Sequence, residues 1–101
     1  MEYERIAKPT KLTDRCEKQA NKAVEYLEEK SPKQATVFKI QFLNMVDKIG
    51  RQPRLGTSYK KGMRKIQLGK FRYFIYYKEF DKFVSIRGIW HTSRGTDFSE
   101  D

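Results

Sequence analysis

Lys, Arg and Tyr side chains and the single His are the groups of this 101-residue chain whose types suit chemistry on a phosphodiester, and Lys65, Arg72, His91 and Arg94 are the candidates among them. Cations stabilise charge that develops on phosphorus, and a His, Tyr or Lys can move the proton. Each also has an ordinary reading. Arg72 sits in Phe71-Arg72-Tyr73, and strand alternation turns it away from both aromatic neighbours, where an Arg commonly serves solubility. Arg64 and Lys65 are adjacent, so only one can share the face of Arg72 in a regular strand. His91 ends a strand-like run and precedes Thr92, Ser93 and Arg94; a lone His there is most often simply hydrogen-bonded. Lys60 and Lys61 suit mobile charges that raise association rates. Tyr76 and Tyr77 suit sheet packing more than proton donation. One His and one Cys cannot build a His- or Cys-based metal cluster. No glycine-rich phosphate loop and no Ser-His-Asp order occurs, and no metal or cofactor is expected.

The element that must position most of these groups is residues 62–77, GMRKIQLGKFRYFIYY. Ile66 and Leu68 alternate with Lys65 and Gln67, and Phe71, Tyr73, Ile75 and Tyr77 alternate with Arg72, Phe74 and Tyr76. Period two marks strands with two distinct faces. Gly69-Lys70 between the runs predicts a two-residue type II′ turn, whose first central position needs positive φ. Residues 51–78 hold nine Lys or Arg and no Asp or Glu. Across the chain the formal charge is +9. Residues 1–50 contribute ten basic and eight acidic side chains, residues 51–101 twelve and five. So basic a second half should attract phosphates or an acidic protein.

A chain of this length predicts one domain with a modest core. It is expected to span residues 1–94, with 95–101 a loose tail carrying Gly95 and three acids. Cys16 is the only cysteine, which excludes an internal disulfide, and it suits a small core position on the first helix. No signal peptide and no apolar run near the length of a membrane span is present, so a cytoplasmic protein without membrane contact is expected.

The supporting elements follow from caps and periodicity. Thr13-Asp14 with Glu17 predicts a helix start, and Cys16, Ala20, Ala23, Val24 and Leu27 make its apolar face. Ser31-Pro32-Lys33-Gln34 predicts a second start, with Ser31 as N-cap and Pro32 at the first helical position. Ala35, Phe38, Phe42, Met45, Val46 and Ile49 form the second stripe, and Gly50 is expected to cap it. A short first strand is expected either at residues 3–7 or at 11–13. Glu79-Phe80-Asp81-Lys82 predicts a turn into a third meander strand over residues 83–91, with Val84, Ile86 and Trp90 on one face and Ser85, Arg87 and Ile89 on the other. The order is β-α-α-β-β-β, an α+β domain with a helical hairpin packed on a small antiparallel sheet.

Taken in series, SPKQATVFKIQFLNMVDKIGRQPRLG and GMRKIQLGKFRYFIYYKEFDKFVSIRGIWHTSR resemble the RelE/ParE toxin superfamily of bacterial toxin–antitoxin pairs. The carrying features are Ser31-Pro32 between the helices, Pro53-Arg54-Leu55-Gly56 after the second, the Arg64, Gly69, Phe71-Arg72 and Tyr76 pattern of the hairpin, and the His91-Thr92-Ser93-Arg94 ending. The resemblance covers residues 12–94 and implies the same β-α-α-β-β-β fold. RelE-like members cleave mRNA in the ribosomal A site, using Lys and Arg on the hairpin strands, an Arg near the last strand and often a late Tyr or His. On that pattern Lys65, Arg72, His91 and Arg94 would be the catalytic set. Gln67 stands where a second Lys is usual and no Tyr follows Tyr77, so the set is incomplete. ParE-like members lack it and poison DNA gyrase. The His-Thr-Ser-Arg ending and the Pro-Arg-Leu-Gly loop look closer to these.

The resemblance thus implies a growth-arresting toxin, with gyrase inhibition as the first reading and a ribosome-dependent mRNA endonuclease as the alternative. Charge alone would give a basic nucleic-acid-binding module. Arg54, Lys60, Lys61 and Arg64 would contact the target or nucleic acid. Either class of toxin implies an acidic antitoxin that lays a helix in a groove or adds a strand to an edge, making a hetero-oligomer.

Overall fold

The computed structural model describes residues 7–94. The tail at 95–101 and most of the earlier alternative for the first strand lie outside the described residues. In chain order the elements are β1 (Thr10–Leu12), α1 (Asp14–Lys30), α2 (Pro32–Arg51), β2 (Thr57–Ser58), β3 (Arg64–Gln67), β4 (Tyr73–Glu79) and β5 (Val84–His91). Single 3₁₀ turns at Lys60–Gly62 and Thr92–Arg94 flank the last three strands.

The sheet runs β1-β5-β4-β3-β2. It is mixed rather than antiparallel, because β1 pairs with β5 in parallel, Lys11 opposite Ser85. The direction of β1 is pinned where it meets α1: the Thr13 N–H donates to the Ile86 carbonyl and its hydroxyl to Arg87. That same hydroxyl oxygen accepts the Cys16 N–H, so Thr13 and not Asp14 caps α1. Ser31 serves both helices. Its N–H closes α1 on Leu27 and its hydroxyl receives the Gln34 N–H to open α2. Pro32 follows in the first turn of α2.

Both helices lie on one side of the sheet. Their stripes meet strand residues in one core that includes Cys16, Ala23, Phe38, Phe42, Val46, Ile49, Ile75, Tyr77 and Ile86. Phe38 is its hinge point, edge-on to both Phe71 (5.2 Å) and Tyr73 (5.3 Å). Gly50 does not cap α2. The helix continues to Arg51, and Gly50 sits buried against the chain that leads into β1, where its carbonyl accepts the Lys8 N–H. A Cβ there would stand 2.8 Å from the Lys8 carbonyl oxygen, so glycine is required by close approach of two backbones.

Two local features re-aim side chains. Gly69 does take positive φ (+53°) and Phe71 donates to Leu68, so Gly69-Lys70 forms the expected turn. However, Leu68 pairs onward with Tyr73, which makes a four-residue connection, Gly69 to Arg72. The shift of two positions keeps every side chain on its expected face. The second feature does not. Between Tyr76 and Tyr77 the β5 register slips, with Gly88 opposite Tyr76 but Ile86 opposite Tyr77. Arg87 is the extra residue of a β-bulge. It inverts the alternation beyond it, so Ile89 joins Val84 and Ile86 in the helix-side core while Trp90 emerges on the opposite face.

Candidate functional site

The face turned away from the helices is built by alternation from Lys11 on β1, Ser85, Gly88 and Trp90 on β5, Phe74, Tyr76 and Lys78 on β4, and Lys65 and Gln67 on β3. None of these is acidic. Met63 and Tyr76 are buried at its centre, with Tyr59, Phe74 and Trp90 packed around them. Tyr59 and Tyr76 rings lie 5.0 Å apart. Lysines lie over rings of this cluster and over Phe80 and Phe83 between β4 and β5. The Lys65 ammonium is 5.1 Å from the Phe74 ring centre and 5.4 Å from that of Tyr59. Lys60 reaches Tyr59 (5.5 Å), Lys11 reaches Phe83 (4.9 Å) and Lys78 reaches Phe80 (5.4 Å).

The expected site residues divide between surfaces. Lys65 is half-buried on the open face. Arg72 is exposed just before β4, its carbonyl accepting the Thr92 N–H. Its neighbours Phe71 and Tyr73 both pack on Phe38, which turns Arg72 to the open side. His91 lies on the other side. Its ring meets Tyr73 edge-on at 4.8 Å, and with Tyr73, Gln19, Lys22 and Tyr26 it lines a cleft of about 270 Å³ against α1. The Ser93 N–H donates to His91 Nδ1 (3.1 Å), and the Ser93 hydroxyl lies 2.7 Å from the same atom. Nδ1 is therefore an acceptor, and the neutral ring carries its proton on Nε2. Arg94 closes the last 3₁₀ turn.

Arg64 is engaged in the fold: its Nη1 donates to the Gly56 carbonyl at 2.8 Å. Lys60 and Lys61 are exposed in the 3₁₀ turn, Lys61 in the left-handed conformation (φ 60°). Arg54 lines a separate cleft of about 580 Å³ with Lys8, Arg51, Pro53 and Glu79, where Lys8 and Glu79 form an ion pair of 2.7 Å. So Lys65 and Arg72 share a face, while His91 and Arg54 lie elsewhere.

Sequence reasoning overlooked Lys11, Lys78, Tyr59 and Trp90. The alternation Arg72, Phe74, Tyr76, Lys78 is a readable signal for Lys78. Trp90 had none, because the bulge that exposes it leaves no mark in the pattern. Among the described residues no three His, Cys, Asp or Glu come together to hold a metal ion, and no helix is long and apolar enough to cross a membrane.

No curated protein matches the chain. Among solved structures, one from the chromosomal ParDE TA system from P. aeruginosa is similar, with a TM-score of 0.72 over 84% of this chain and 96% of that chain, at 16% sequence identity. That likeness supports the two-helix, five-stranded fold. Residues 10–95 match the family described as the ParE toxin of type II toxin-antitoxin system, parDE. The match spans nearly the whole chain, strands and helical hairpin alike, and the chain belongs to this ParE toxin family, the toxin component of type II toxin–antitoxin systems.

Proposed function

We propose that this toxin arrests growth by binding and inhibiting DNA gyrase, without chemistry of its own. The observation that carries the reading is the separation of the cations from the only imidazole. Lys65 and Arg72 serve the open face, whereas His91 packs on Tyr73 toward α1 with Nδ1 occupied by Ser93. A general acid or base must come within hydrogen-bond reach of the reacting group that the cations stabilise. A sheet backbone stands between these groups. Inhibition by binding needs no such convergence.

The antitoxin partner that a toxin of this family implies has its seat on the other side. The groove between α1 and α2 is lined by Leu12, Val24, Phe38, Phe42 and Leu43 and measures about 500 Å³. Leu43 is 65% exposed and Ile40 54%. Such a stripe suits the apolar face of an added helix, and Glu17 and Lys39, of opposite charge, stand on its rim.

Supercoiling of relaxed plasmid by purified gyrase tests the reading. Loss of supercoiling with rising toxin is expected. Unaffected supercoiling at large toxin excess overturns it.

A further inference from the structure

We infer that the open face of the sheet is the surface that engages the target, and that its occupant is an acidic protein segment whose Asp and Glu carboxylates pair with the ring-seated lysines. The inference rests on the gyrase reading and adds to it a surface and a partner chemistry.

Charge complementarity is the first argument. Lys11, Lys60, Lys65 and Lys78 are spread over this side, with Arg72 at its edge, and no strand residue that faces it is acidic. Among the described residues none of these five cations makes an ion pair; the ion pairs present join Lys8 to Glu79 and Arg51 to Asp47. An ordinary solvated surface intersperses both signs.

Seating is the second. An exposed lysine usually loses much rotamer freedom on binding. Four of these lysines already lie over aromatic rings at 4.9–5.5 Å, within the range of a cation–π contact. Each such contact is worth about 0.5–1 kcal/mol at an exposed site, which biases the ammonium groups toward the rings while their charge stays available. This arrangement favours recognition of fixed carboxylates over diffuse attraction.

The rings themselves argue against single-stranded nucleic acid. Such binding stacks bases on open aromatic faces. Here Lys65 lies over both Phe74 and Tyr59, and Tyr76 is 2% exposed. The face presents ammonium groups, not ring planes. It also lies across the sheet from the interhelical groove, so the two surfaces can be altered separately.

The test uses full-length toxin and purified gyrase, reading supercoiling inhibition and direct binding by biolayer interferometry without DNA. Lys65→Glu/Lys78→Glu should weaken both by roughly tenfold or more, the scale of a lost charge pair at an interface. Lys65→Gln/Lys78→Gln, which keeps the stems on their rings, should weaken both in the same direction. Lys18→Glu/Lys33→Glu, an equal charge change on the helices, should leave both unchanged, with circular dichroism melts confirming that every variant is folded. If wild-type toxin inhibits and the open-face variants inhibit equally well, the inference falls and the gyrase reading stands. If wild-type toxin neither binds nor inhibits, both fall. Toxin that binds duplex DNA alone, and loses that binding in the same variants, makes nucleic acid the occupant and overturns the inference. A wild-type dimer by light scattering that the variants dissociate makes a second copy the occupant, with the same consequence. Removal of residues 95–101, which carry Asp97, Glu100 and Asp101, should leave binding unchanged; a roughly tenfold gain would make the chain's own tail the occupant and also overturn it.

Discussion

The phenolic oxygen of Tyr77 accepts the backbone N–H of Gly56 at 2.8 Å, across 21 residues of chain and out of contact with solvent. Arg64 completes the clamp by donating to the carbonyl of the same glycine. Both backbone groups of one loop residue are thereby tied to neighbouring strands of the hairpin. The chain leaving α2 is delivered into register with β3, Thr57 opposite Lys65. That register carries Tyr59 onto the open face, beneath the Lys65 ammonium. A hydrogen bond on the helix side of the sheet thus places an aromatic ring on the side proposed to meet the target.

Tyr77→Phe should therefore be costly although it removes a single oxygen. The Gly56 N–H would remain buried without an acceptor, a loss of about 1–3 kcal/mol. The urea midpoint should fall without a change in slope. Gly56→Ala should cost at least as much, since its Cβ would lie 2.6 Å from the Lys65 carbonyl oxygen and 2.8 Å from the Tyr77 hydroxyl. A Tyr77→Phe protein as stable as wild type would show that the clamp contributes nothing.

Alkaline stability follows from two buried acids. Burial, with a smaller contribution from Glu17, pushes the Cys16 thiol from 9.0 up to about 12. Burial also raises Tyr77 above its ordinary 10.0, with the Gly56 hydrogen bond and Arg64 opposing the rise. Both folded values lie above the unfolded ones. Each group's contribution is present in full below its unfolded value and is lost as pH rises through its folded value. Stability should be level up to about pH 9 and then decline, first through Cys16 and above about pH 10 through Tyr77 as well, with a limiting slope of about 1.4 kcal/mol per pH unit for each proton. Urea denaturation across pH 8–11 checks this. The decline between pH 9 and 10 should be flattened in Cys16→Ala, and a decline there as steep as wild type would contradict the assignment.

Gly50→Ala sets two principles against each other. Within a helix the change ordinarily stabilises by about 1 kcal/mol. At this site the new methyl would meet the Lys8 carbonyl oxygen at 2.8 Å and Thr10 Cγ2 at 3.1 Å. The nearer atom is backbone, and it belongs to the segment whose N–H is bonded to Gly50 itself. Contact should win, giving a lower thermal midpoint. A higher midpoint would mean that the start of β1 yields freely.

The parts of this fold that could be read in advance are those governed by local chemistry. Thr13, Ser31 and Pro32 announce the helix starts because capping is a matter of a few adjacent residues. The apolar stripe of α2 needs only the helical period. Gly69 marks its turn because positive φ is expensive for other residues. What escaped depends on distant chain. Gly50 looks like a terminator until Lys8 is found against it. β1 gives no sign of whether its partner runs parallel. The bulge at Arg87 is the most consequential case. One additional residue in β5 moved Trp90 from the expected core to the open face and Ile89 the other way, although period two was correctly recognised on both sides of it. The candidate site was half legible for the same reason. Alternation allowed only one of Arg64 and Lys65 to share the face of Arg72, without choosing between them, and nothing local reveals that His91 faces Tyr73 and α1.

That position of His91 leads to a prediction about RNA. Tyr73 and His91 are paired residues of β4 and β5, and their rings meet on the helix side of the sheet. Lys65 lies on β3, beyond β4, and its ammonium is over Phe74 on the opposite side. A phosphodiester seated against Lys65 and Arg72 has the sheet between itself and the imidazole. His91 Nδ1 is in any case an acceptor for Ser93, and His91 lines the cleft against α1. General acid–base assistance contributes typically 10²–10⁴-fold to such cleavage, so cations on the open face alone should leave mRNA intact on any relevant timescale. Primer extension on translated mRNA after induction of the toxin should show no cuts within codons. His91→Ala should keep growth arrest near the wild-type level, whereas Arg72→Glu should weaken it, because only the latter alters the open face. Codon-internal cuts that vanish in His91→Ala would require the imidazole to reach the scissile phosphate and would return the ribosome to first place as the target.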